Sequence, residues 1–179
     1  MLKLSKKKYT RIGILGGTFD PPHLGHLYIS KIALKNLKLN KLIWAITKKN
    51  PLKQKPFLNI KKRINLSKKI VRKEKKIFIK YFEDKINSSN TYNLLNFIKK
   101  KNKKSKIFFL IGADNLKKFH KWKNWEKISK LAQIAVFPRK NYSIKSLNPI
   151  VNKMLSKKDF IYIKSKKINI SSSLIRKFW

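Results

Sequence analysis

His23 and His26 stand three residues apart in a run that also carries Gly16, Gly17, Thr18 and Gly25. The chain has five glycines and three histidines, and the segment from Gly13 to His26 holds four of those glycines and two of those histidines. The run follows an apolar stretch and opens a helical pattern. Its glycines therefore fall at a strand-to-helix junction, where bare backbone lets N–H groups approach an anion and the helix start adds a positive dipole end. A spacing of three puts both imidazoles on the same side of a first helical turn, so they can act on one ligand. Ring N–H groups aimed at a phosphoryl centre would stabilise charge that develops during transfer, with no covalent step. A pair of histidines satisfied by turn carbonyls is the plain alternative, and the flanking glycines argue against it.

Elements of matching regularity surround this run. Apolar, β-branched-rich stretches at 12–15, 42–46, 77–81, 107–111, 133–137 and 160–163 read as strands. Between them, residues 24–37, 60–71, 91–100 and 125–131 repeat apolar side chains at helical spacing. Continuous apolar strands separated by helices predict an α/β fold with a doubly wound parallel sheet, and ligands at the carboxyl ends of its strands. The glycine-histidine run sits at one such end.

Further residues with chemical potential lie elsewhere. Gly112 and Asp114 follow the fourth apolar run, where a carboxylate can accept from ribose hydroxyls or cap the short helix that follows, and spacing leaves both open. Trp122 and Trp125 belong to an aromatic cluster; Trp125 opens an apolar pattern and is expected inside, while Trp122 is the indole available for stacking on a ring. The segment Asn90-Thr91-Tyr92-Asn93 opens a helix whose free N–H groups could take a carboxylate, or be capped by Asn90 or Thr91. Ser171, Ser172 and Ser173 precede Arg176, which offers a nest of amides beside a guanidinium.

Gly16-Gly17-Thr18-Phe19-Asp20-Pro21-Pro22-His23-Leu24-Gly25-His26 resembles the signature of the nucleotidyltransferase superfamily with a His/Thr-x-Gly-His motif. Within it the segment is most similar to the bacterial nicotinate-mononucleotide adenylyltransferases. Relatives that act on pantetheine phosphate usually carry Thr for the first His. Ile170-Ser171-Ser172-Ser173-Leu174-Ile175-Arg176 resembles the second signature of the same family. The resemblance implies a Rossmann-like nucleotidyltransferase fold and adenylyl transfer from ATP to nicotinate mononucleotide, which gives deamido-NAD and pyrophosphate in NAD biosynthesis.

The resemblance also implies roles. His23, His26 and Arg176 would be catalytic, and Gly16, Gly17, Thr18, Gly25, Gly112, Asp114, Ile170, Ser171, Ser172 and Ser173 would bind ATP. Thr91, Tyr92, Asn93, Trp122, Lys53 and Arg139 would bind the mononucleotide, Trp122 against the nicotinate ring. Asn93 stands where the family has threonine, and Lys140 and Asn141 replace the Pro-Gly that usually follows the arginine at Arg139. Mg²⁺ would be held mainly by ATP, because no second acid lies near Asp20 in sequence, and Asp20 would orient the loop.

The 47 basic residues against 7 acidic ones give a net charge of +40, and only five of the basic residues are arginines. Lysines recur between all apolar runs rather than forming one stripe, which fits a lysine-biased chain with solvated faces better than a designed nucleic-acid site. Salt-sensitive, non-specific binding of polyanions follows from such a field. A basic nucleic-acid-binding protein and a related adenylyl- or cytidylyltransferase acting on nicotinamide mononucleotide or phosphopantetheine are the competing functions. The composition suits one domain over 1–179, with 1–10 a basic extension and no linker. The absence of cysteine removes disulfides and thiol chemistry. No apolar signal region or membrane span is visible, so the expected location is the cytoplasm, without membrane partners. Three residues follow Arg176, so the last helix is expected to be short.

Overall fold

Strands with no polar alternation must be covered on both faces, and the computed structural model, which describes residues 9–50, 54–139, 151, 156–166 and 170–178, satisfies this with one sheet. Strands β1 (Thr10–Gly17), β2 (Lys41–Ile46), β3 (Ile77–Tyr81), β4 (Ser105–Gly112), β5 (Gln133–Phe137) and β6 (Phe160–Tyr162) pair in parallel in the order β3-β2-β1-β4-β5-β6. All six predicted strands are present. Thr10, placed by sequence in the basic extension, already belongs to β1.

Side chains alternate between two cores at the two-residue period of a strand. Ile12, Ile14, Ile107, Phe109, Ile111, Ile134 and Val136 face one core. Leu15, Leu42, Trp44, Phe108, Leu110, Ala135 and Phe137 face the other. Helices α1 (Leu24–Asn36) and α2 (Ile60–Val71) cover the second core with Ala33, Leu37 and Val71. The short α3 (Glu83–Ile86) follows β3. Helix α4 (Thr91–Lys101) covers the first core with Leu95 and Ile98, together with α5 (Ala113–Lys117) and α6 (Ile128–Leu131). The predicted helix at 125–131 enters as a 3-10 turn, Trp125–Lys127, before becoming α6. Near the end lies α7 (Ser172–Ile175).

Helices that leave β1 and reach β4 lie on opposite faces of the sheet, so the loops beyond β1 and β4 diverge and open a crevice at their carboxyl ends. The glycine-histidine run is at that point. No helix among the described residues is long and apolar enough to cross a membrane.

Candidate active site

A cleft of about 1420 Å³ occupies this crevice, and its lining includes Gly16, Gly17, Thr18, His23, Gly25, His26, Gly112, Asp114, Arg139 and residues 170–174 and 176. None of its glycines has a positive φ; the left-handed position in the run falls on Phe19, with φ 50°. Gly16 is exposed, and a Cβ there would meet only Phe109, at 3.6 Å. Glycine keeps this stretch of backbone bare toward the cleft, which allows a phosphate close approach.

His23 is the N-cap of α1 and His26 lies in its first turn. Their ring centroids are 3.8 Å apart. His26 Nδ1 accepts from the His23 backbone N–H at 3.2 Å, which leaves the ring proton on Nε2 and makes that atom a donor. His23 is buried and its Nδ1 has no hydrogen-bond partner among the described residues. Burial, with the Arg139 charge adding to it, lowers its pKa to about 4, so the ring is neutral near pH 7.

The unfavourable backbone of Phe19 is locked by its ring, which stacks on Trp44 at 4.8 Å and meets His26 at 4.7 Å. Trp44 donates to Ser30 Oγ at 2.8 Å, and Ser30 donates to the His26 carbonyl at 2.7 Å. The glycine-histidine turn thus rests on a fully buried indole.

One wall of the cleft joins the two sequence signatures. Ser172 donates to the Pro21 carbonyl at 2.8 Å, and Ser171 caps α7 by accepting from Leu174 N–H at 3.1 Å. A Cβ on Gly25 would stand 2.7 Å from Ile170 Cγ2 and 2.8 Å from His23 Nδ1, so only glycine lets these segments touch. Arg176 donates to the Asp20 carbonyl and lies 3.5 Å from its carboxylate. Asp20 in turn accepts from the N–H groups of Phe57 and Leu58, each at 2.8 Å. The carboxylate is committed to orienting backbone, as its sequence reading anticipates.

Arg139 spans the same wall, donating to the Ile170 carbonyl at 3.3 Å and pairing with Asp114 at 3.5 Å. Asp114 is not a helix cap: Gly112 is the N-cap of α5 and Asp114 lies inside its first turn. That capping alternative fails, because the helix starts at Ala113, directly after the strand, and leaves Asp114 past the cap position.

On the opposite wall, Thr91 and Trp122 line the cleft, with Trp122 half-buried against Phe109 and Phe119. Trp125 is buried, as its pattern predicts. The side chains of Tyr92 and Asn93 turn away from the cleft. Helical geometry turns Tyr92 into the first core, and Asn93 donates to Ser88 Oγ at 2.8 Å. Lys53 lies outside the described residues.

Sequence reasoning overlooked Arg63, Thr47 and Glu83. Arg63, on α2 and 2% exposed, donates to the carbonyls of Leu58, Thr18, Thr47 and Lys48 at 2.7–3.0 Å. Burial lowers its pKa, opposed by Asp20, Glu83 and Tyr81. Leaving one such buried carbonyl unpaired costs about 1–3 kcal/mol. Thr47 Oγ donates to Glu83, which also accepts from Lys48 N–H at 3.2 Å. Two signals in the sequence pointed to Arg63. It sits at helical spacing on the stripe of Ile60, Ser67 and Val71, and it is an arginine where lysine is the default.

The cytidylyltransferase-like family model matches residues 14–178. A Pelagibacter ubique protein named as a probable nicotinate-nucleotide adenylyltransferase is 48% identical over 174 residues, 97% of this chain and 96% of the relative. An Agrobacterium fabrum protein of the same name is 37% identical over 138 residues, 76% of this chain and 73% of its own. The solved structure of Plasmodium falciparum nicotinic acid mononucleotide adenylyltransferase complexed with NaAD superposes with a TM-score of 0.78 at 25% identity, covering 95% of this chain and 84% of that one.

Proposed function

The chain belongs to the nicotinate-nucleotide adenylyltransferase family, and we propose from this and from the cleft that it transfers the adenylyl group of ATP to nicotinate mononucleotide. The observation that carries the reading is the juxtaposition of the two histidines with Gly16 and the 170–176 segment in one cleft at the carboxyl ends of β1 and β4.

The mononucleotide's 5′-phosphate oxygen attacks the α-phosphorus of ATP in line; one P–O bond forms and the bond to the β-phosphate oxygen breaks, which releases pyrophosphate. The attacking oxygen is already anionic, so neither a general base nor a protein nucleophile is required. The protein's work is placement and charge stabilisation. His26 donates from Nε2 to the phosphate oxygens, and neutral His23 does so without the desolvation cost of a buried imidazolium. Bare backbone at Gly16 and Gly17, with Thr18, receives the triphosphate, and Arg176 grips the leaving pyrophosphate. Gly112, Asp114 and residues 170–173 hold the adenosine, Asp114 through the ribose hydroxyls. Thr91 and the amides at the start of α4 read the nicotinate carboxylate while Trp122 stacks on the ring. Arg139, on the wall with Asp114 and Ile170, adds a positive charge that draws anionic substrates into the cleft. Magnesium would be held mainly by the phosphates of ATP and would supply charge neutralisation there, because the Asp20 carboxylate is taken by two amides and Arg176.

Pyrophosphate release from MgATP, with nicotinate mononucleotide, nicotinamide mononucleotide and phosphopantetheine offered in parallel, tests the reading. Turnover is expected with the nicotinate nucleotide and is lost in His26→Ala. Turnover only with another acceptor would overturn the roles of Thr91 and Trp122.

A further inference from the structure

The chain contains 42 lysines and five arginines, so a position that keeps arginine invites a geometric reason. Arg63 supplies the sharpest case. Its neighbours Lys61 and Lys62 are exposed, while its own guanidinium is buried and has four of its five N–H groups on backbone carbonyls from three separate stretches. Those carbonyls are Thr18, beyond β1; Thr47 and Lys48, beyond β2; and Leu58, just before α2.

Two carboxylates complete the arrangement from the amide side. Glu83 accepts from Thr47 Oγ and Lys48 N–H, at the segment's start. Asp20 accepts from Phe57 and Leu58 N–H, at its end. The described parts of the chain between β2 and α2 are therefore gripped at both ends, by a cation on their carbonyls and by anions on their amides and hydroxyl. Asn50, Gln54, Lys55 and Phe57 of this stretch line the cleft, on the side where Glu83 and Thr91 also stand.

We infer that Arg63 is the positioning residue of the mononucleotide-binding wall: with Asp20 and Glu83 it fixes Thr47, Lys48, Phe57 and Leu58, between β2 and α2, against the phosphate loop at Thr18. The inference rests on the proposed adenylyl transfer and adds to it a residue that need not touch either substrate. A lysine would keep the charge but presents one ammonium, whose three donors diverge from a single atom, and cannot span four carbonyls as the planar fork does. The wall would then shift relative to Thr18 while the ATP wall, tied through Ser172, Arg139 and Arg176, keeps its own contacts.

The test is steady-state kinetics of Arg63→Lys and Thr47→Val beside the unaltered enzyme, with KM for each substrate, kcat and the thermal midpoint measured on the same preparations. Arg63→Lys is expected to raise KM for nicotinate mononucleotide about tenfold and KM for ATP less than twofold. Thr47→Val removes the hydroxyl's ties to Glu83 and to the Lys49 carbonyl and serves where the lysine variant fails to fold; it is expected to move the same constant in the same direction, by about threefold. Equal changes in both KM values, or a lower midpoint with both unchanged, would reduce Arg63 to a structural residue and sink the inference. Failure of the unaltered enzyme to turn over nicotinate mononucleotide would instead sink the functional reading, so the two failures are distinguishable.

Discussion

The two walls of the cleft are built differently. The wall formed by the glycine-histidine run and the 170–176 segment is made of the residues that carry the sequence signatures, and they touch each other directly, as Ser172 to Pro21 and Arg176 to Asp20. The facing wall, from β2 and β3 to the start of α4, is held by Arg63 and Glu83, neither of which belongs to a signature. The first wall, proposed to take the triphosphate, presents short-range contacts of bare backbone, imidazole and guanidinium, which demand particular residue types. The second, proposed to take the acceptor, presents main chain, and many side chains can place main chain. Signatures therefore mark the first wall and are sparse on the second.

If that division is right, damage to the first wall strikes the chemical step. His26→Ala is expected to lower kcat about 10²–10³-fold, the usual cost of one charge-stabilising donor, with both KM values near their original level. A KM effect without loss of kcat in single-turnover assays would move His26 from chemistry to binding. Gly25→Ala comes next, because its methyl presses on Ile170 and His23 and parts the two signatures. A loss in kcat/KM of about tenfold or more, with about 1–3 kcal/mol of stability in urea titration, is expected. An active, undisturbed alanine variant would show that the segments separate without consequence.

Damage to the second wall should read out in acceptor affinity. Trp122→Ala is expected to raise KM for nicotinate mononucleotide about tenfold, in line with the loss of about 1 kcal/mol of aromatic stacking and some burial, and to leave KM for ATP within twofold. A reversed pattern would exchange the two walls.

The smallest effect concerns the buried ring on the first wall. His23 has a folded-state pKa of about 4 against 6.5 when unfolded. Between those values the unfolded chain binds more protons, so stability falls as pH drops through 6.5 toward 4 and is unaffected by this group above about pH 7.5. Between pH 7 and pH 6 the loss is about 0.7 kcal/mol, and His23→Asn should remove that part of the slope in urea midpoints. An unchanged slope would mean that the ring is not held neutral.

Much of the fold is legible because its causes are local. Apolar runs such as 107–111 admit few structures other than a strand covered on both faces, and the 24–37 pattern gives α1 to within a residue. The short α3 escaped because four residues carry too little periodicity to see, and the short helix anticipated after Asp114 starts earlier, at Ala113. At the site, the histidine run and the serine-arginine segment were visible as clusters of scarce residue types. What the sequence did not show is where the Tyr92 side chain goes: one step along a helix rotates a side chain by about 100°, from the cleft that Thr91 lines into the core that Tyr92 joins, while the amides at the helix start keep their direction.

By itself the sequence determined the chain order of the strands and main helices, the place of the glycine-histidine turn and the residue types available there, since period, residue type and glycine placement act over a few residues. Only the tertiary structure decided which distant groups meet. Asp20 joins Phe57 and Arg176 across 37 and 156 residues, and Arg63 reaches back 45 residues to Thr18. It also decided that His23 is neutral and that Phe19, not a glycine, takes the left-handed turn. Desolvation and ring packing depend on everything that surrounds a group in three dimensions, and no local pattern records that.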